Sequence, residues 1–110
     1  MTKKVELPEF VRLSHYRINL IAINSQISEE CAEQQGSFHS RSMRIYLDED
    51  IILRGGADAL NVVIHEMLHV GYYQYLLKEK EEETVVNSYG NFITELLTRS
   101  ELKAWIIDNM

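Results

Sequence analysis

From residue 57 to residue 77 the chain keeps apolar side chains at helical spacing and sets two histidines beside them. Leu60, Ile64 and Leu68 mark the stripe, with Val63, Met67, Val70 and Gly71 more loosely in phase. Such a segment must be a helix with one face buried. Gly55-Gly56 breaks the chain before it, and Asp58 suits a cap or first-turn acid. His65 and His69 are four residues apart, so on a helix the two imidazoles lie one above the other and both can bind one metal ion. Glu66, one place after the first of them, is then set to act on a water at that metal. A polar group left unpaired on a half-apolar helix is costly, and a metal gives both imidazoles a partner.

The rest of the chain divides around this helix. Up to about Asp50 the pattern is β-like. Tyr16, Ile18 and Leu20 alternate in a strand over residues 16–24, with Ile21 and Ile23 out of phase. Gly36-Ser37-Phe38-His39 and Met43-Arg44-Ile45-Tyr46-Leu47 read as two short strands joined by the polar turn Ser40-Arg41-Ser42, and Asp48-Glu49-Asp50 ends the second. The polar stretch 25–33 carries no assignment. A second helix is expected from about Glu81 to Thr98, with Val85, Val86, Tyr89, Ile93, Leu96 and Leu97 as its core stripe. Ser100 can cap a last short helix, residues 101–108, that packs Leu102, Trp105 and Ile106. A small sheet followed by helices makes an α+β fold, and 110 residues make one domain, 1–110.

A formal net charge of −6 argues against nucleic acid as the main partner, because phosphate binding wants a basic stripe. The run Lys78-Glu79-Lys80-Glu81-Glu82-Glu83 is read as solvated surface. Cys31 is the single cysteine, so neither an internal disulfide nor a cysteine-rich zinc knuckle can form, and it is read as an inert small hydrophobe. Glu6, Pro8, Glu9 and Arg12 interrupt any leader-like start, and no stretch approaches the roughly twenty apolar residues of a membrane span. The expected setting is the cytoplasm.

His65-Glu66-x-x-His69 has the spacing of the zinc-hydrolase signature H-E-x-x-H. A catalytic zinc takes three protein ligands and leaves one position open. The third must come from elsewhere. His15 and His39 are available but are read as surface or strand residues. Acids at the start of the second helix are more economical, because an antiparallel helix after the short 78–80 turn carries them beside the imidazoles. Glu82 falls near the middle of that helix's apolar stripe. Glu83 sits to one side, two turns before Gly90, whose missing side chain lets the helices approach closely. Among the tyrosines, Tyr72, one turn beyond His69, is the choice for a donor to a developing oxyanion.

With Glu83-x-x-Val86-Asn87-x-x-Gly90 following on the next helix, the motif resembles the zincin metallopeptidases, most of all the ImmA/IrrE-like group and small HExxH proteins of phages and prophages. Gly36-x-Phe38 and the 43–47 run look like the strand pair before the metal helix in those proteins, so the resemblance spans roughly residues 36–97. It implies a minimal zincin-like domain in which a small N-terminal sheet precedes a metal-binding helix and an antiparallel Glu-bearing helix. It further implies one zinc ion held by His65, His69 and Glu83, with Glu66 as general base in peptide hydrolysis. A peptide or protein substrate is the implied partner, with no nucleic acid and no membrane, in the host cytoplasm if the chain is phage-encoded. An extended substrate is expected to pair with the edge of the 43–47 strand. The alternatives are a zinc-binding regulatory or partner-binding module with little turnover, and a zinc that only staples a small core.

Overall fold

The computed structural model describes residues 5–24, 36–75 and 81–110. Its described part is an α+β fold of one four-stranded mixed sheet and four helices. The strands are β1 (Phe10–Leu13), β2 (Tyr16–Ile23), β3 (Gly36–His39) and β4 (Arg44–Asp48), in the spatial order β1-β2-β4-β3. The helices are α1 (Glu49–Arg54), α2 (Gly56–Tyr75), α3 (Glu82–Thr98) and α4 (Lys103–Asn109). β1 and β2 are antiparallel, β2 and β4 parallel, and β4 and β3 antiparallel. None of the described helices is long and apolar enough to cross a membrane.

The expected strands form, and the alternation is strict. Val11, Leu13, Ile18, Leu20, Ile45 and Leu47 make the buried face, while Arg12, Arg17 and Arg44 stand exposed on the other. Ile21 and Ile23, out of phase in the sequence, fall on that outer face. β1 is an addition to the sequence reading: Phe10-Val11-Arg12-Leu13 alternates over only four residues, and its pairing with β2 supplies what so short a pattern lacks. α1 is a second addition. Asp48 ends β4 as expected, but its carboxylate accepts from the Asp50 N–H at 3.0 Å and so starts a helix, with Glu49 and Asp50 favourable in its first turn.

α2 forms where the periodicity places it, but rotated. Its buried residues are Ala59, Val62, Val63, Glu66, Met67, Val70 and Gly71, and Leu68 of the expected stripe is 39% exposed. The helix is apolar around most of its circumference, so the sheet's flat face, not the sequence period, selects the side that packs. α3 turns likewise. Phe92 and Leu96 are buried, whereas Val86, Ile93 and Leu97 from the expected stripe are exposed.

Gly90 does not bring the helices together, since a Cβ there would meet nothing within 4 Å. The close approach is at Gly71 of α2, where a Cβ would stand 3.0 Å from the Phe92 ring. The Tyr89 hydroxyl, donating to the Leu68 carbonyl at 3.3 Å, holds the same crossing.

The last helix starts two residues later than expected, with Leu102 rather than Ser100 at its cap; Ser100 Oγ accepts from the Leu102 N–H at 3.1 Å in the turn before it, and Leu102, Trp105 and Ile106 are buried as expected. Asn109 then closes the fold by accepting from the Gly56 N–H at 2.8 Å, satisfying a donor at the start of α2.

The two edges of the sheet differ. On β1 the Arg12 and Ser14 N–H groups donate to the carboxylates of Glu101 and Glu95, at 2.9 and 3.1 Å, so that edge is blunted by side chains. β4 is flanked on both sides, by β2 and by β3, and offers no edge to a substrate strand, contrary to the expectation for residues 43–47. The other edge of the sheet belongs to β3.

Candidate active site

α2 and β3 together form a cleft of about 420 Å³ lined by Ser37, Phe38, His39, Ser40, His65, Glu66, His69 and Tyr73. The helix supplies one member per turn. His65, His69 and Tyr73 recur every four residues and share one side, and their neighbour Glu66 points under them toward the sheet. The imidazoles of His65 and His69 meet edge to face with ring centroids 5.0 Å apart. Both residues are exposed to the cleft, and His65 Nε2 lies 4.0 Å from Glu66 Oε2.

Glu66 is only 5% exposed, against Gly36 and Phe38 of β3. Burial pushes its carboxyl above the ordinary carboxylate range, opposed by His65, by His69 and by the backbone N–H of Phe38. A carboxyl raised on folding binds its proton more tightly in the native state than in the unfolded chain. Stability therefore falls as pH rises through the raised pKa, and the penalty stands in full above it. In zinc-free protein, Glu66→Gln is accordingly expected to melt at a higher temperature than wild type at pH 7, with the gap closing as the pH is lowered through the acid range. Melting curves from pH 4 to pH 8 that run parallel would contradict this.

The other candidates separate cleanly. Tyr72 is 52% exposed and does not line the cleft; Tyr73 does, its ring edge-on to Phe38 and Tyr16 at 6.1 and 6.0 Å. Tyr73 thus replaces Tyr72 as the tyrosine of the site, and the signal was present in the sequence as the third step of a 65-69-73 series. His39 lies at the rim, but strand alternation turns its ring to the outer face, where it is hydrogen-bonded with Ser37 Oγ at 3.0 Å and stacks edge-on with Tyr46. His15 is exposed in the β1–β2 turn.

Glu82 and Glu83 are exposed in the first turn of α3 and are not among the residues lining the cleft. α3 meets α2 at Leu68 and Gly71, and Gly71 is about 200° around the helix from His69, at roughly 100° per residue. Among the described residues no group of three or more His, Cys, Asp or Glu side chains is arranged to hold a metal ion. Cys31 and the 78–80 turn lie outside the described residues.

What the described residues do offer is two nitrogen donors on one helix side, opening to one cleft, with a buried carboxylate at their base. That donor set fits the chemistry of zinc, which takes imidazole nitrogen readily. Comparison with protein-family models, with curated proteins and with solved structures gave no match.

Proposed function

We propose that this chain is a zinc-dependent peptidase with a minimal zincin-like fold, in which His65 and His69 hold the metal and Glu66 is the general base. The observation that carries the reading is the convergence of both imidazoles and the buried Glu66 carboxylate on one cleft beside a sheet edge. Glu83 is the proposed third donor on the resemblance of its helix to the zincin pattern alone, with Glu82 as the alternative; neither lines the cleft.

A zinc ion bound there supplies Lewis acidity toward a water molecule and toward the amide carbonyl. Glu66 takes a proton from the water at a carboxylate oxygen as the new C–O bond forms, and returns it to the amide nitrogen as the C–N bond breaks. Burial favours this role, because a carboxylate with a raised pKa is a stronger base. Tyr73 and Phe38 give the cleft an apolar wall that excludes bulk water from one side. A peptide or protein is the partner this chemistry calls for, and the cytoplasm is the proposed setting.

The test is hydrolysis of a peptide library by zinc-loaded protein, with new termini identified by mass spectrometry. Wild-type cleavage that disappears in Glu66→Gln at unchanged zinc content supports the peptidase. A partner captured with equal affinity by wild type and Glu66→Gln, without cleavage, makes the chain a zinc-binding module instead.

A further inference from the structure

Beneath the cleft, the start of β3 packs against the stem of Glu66. Gly36 is buried at the start of β3, where a Cβ would stand 3.2 Å from Glu66 Cγ, 3.2 Å from Val62 Cγ1 and 3.3 Å from Leu47 Cδ2. Its φ does not lie in the left-handed region, so no backbone conformation requires glycine there; only the space does. Two residues on, the Phe38 N–H faces the Glu66 carboxyl and favours its charged form. The strand thus lies along the Glu66 methylene stem and sets the Phe38 N–H beside its carboxyl.

We propose that Gly36 is a positioning residue for Glu66: by carrying no side chain it lets the β3 backbone close on the Glu66 stem and bring the Phe38 N–H to its carboxylate. A Cβ there makes the Glu66 stem and its neighbours give by a few tenths of an ångström, at the point where the carboxylate must be held. Packing alone does not explain the glycine, because Val62 and Leu47 could be trimmed to admit a methyl group; the fixed member of the trio is Glu66. The inference rests on the reading of Glu66 as general base for its kinetic consequence, but not for its geometry.

The experiment compares wild type, Gly36→Ala, the relieved double variant Gly36→Ala/Val62→Ala, and Gly90→Ala as a control glycine with open space around it. Two readouts are taken on the zinc-loaded full chain. The first is kcat and KM for a cleaved peptide. Gly36→Ala is expected to lower kcat on the order of tenfold, less than the 10²-fold of a full ångström's misplacement, with KM and zinc content held. The double variant, which relieves Val62 but leaves the contact with the Glu66 stem, should stay as low as Gly36→Ala, and Gly90→Ala should match wild type.

The second readout is amide hydrogen exchange at Phe38. That N–H is expected to be protected in wild type and to exchange at least tenfold faster in Gly36→Ala and in Glu66→Ala. Unchanged kcat together with unchanged Phe38 exchange in folded Gly36→Ala overturns the proposal. So does recovery of kcat in the double variant, which marks packing against Val62 rather than contact with the Glu66 stem. If wild type shows no Glu66-dependent cleavage, the peptidase reading fails by itself and the exchange readout still decides the positioning.

Discussion

His65→Ala and His69→Ala are each expected to abolish stoichiometric zinc and with it all hydrolysis, while Glu66→Gln keeps the zinc and loses only turnover. The two histidines are exposed to one cleft and stand one turn apart, so removing either leaves a single helix-borne nitrogen donor. Loss of a supporting partner behind a ligand already costs 10–100-fold in metal affinity, and loss of a ligand itself should exceed about 100-fold. Neither substitution should unfold the chain, because both side chains lie largely in solvent.

Glu66 differs because it is buried, yet its isosteric amide keeps the volume and removes the base. Dialysis against excess zinc followed by metal analysis reads the first effect, and peptide cleavage reads the second. Glu82→Gln and Glu83→Gln, assayed alongside, assign the third donor: loss of zinc in only the second is the expected pattern. Full zinc content in both histidine variants would remove the metal from the account altogether.

The second large effect lies away from the cleft. Phe92→Ala is expected to destabilise the protein by about 3–5 kcal/mol, a large fraction of the roughly 5–15 kcal/mol that holds a domain folded. Phe92 is fully buried and is the ring that α3 sets against Gly71 of α2. Its loss leaves a cavity at the main contact between the two helices.

Gly71→Ala acts from the other side. Its new Cβ would fall 3.0–3.2 Å from three atoms of that ring, and overpacking of this kind costs about 1–3 kcal/mol. In the double variant the added methyl occupies part of the space the ring vacates, so the combined loss should be smaller than the sum. Urea midpoints of the four proteins measure this coupling. Strict additivity would mean that the two residues do not share the contact.

These two sites differ in how far the sequence could announce them. His65, Glu66 and His69 were readable together because all three lie within five residues of one helix, and helical geometry fixes their relation without any tertiary information. Tyr73 belongs to the same series and was legible for the same reason, although the reading preferred Tyr72. The Gly71–Phe92 contact was not legible. It joins residues from two helices, and which glycine admits a neighbouring ring depends on the angle at which those helices cross.

The same distinction runs through the whole chain. Local patterns determined the α+β order, the β3–β4 pair, the placing of His65, Glu66 and His69 on one helix, and the Ser100 turn, because periods of two and of about 3.6 residues are properties of the chain itself. Tertiary structure decided which face of α2 is buried, since a helix apolar on several sides takes its orientation from the sheet beneath it. It also decided that β3 rather than β4 lies at the edge beside the cleft, because strand order depends on long-range pairing that no local period records. Strand alternation then turned His39 to the outer face. The crossing of α3 at Leu68 and Gly71 set Glu83 outside the cleft residues, since a helix's apolar residues specify that it packs and its partner's shape specifies where.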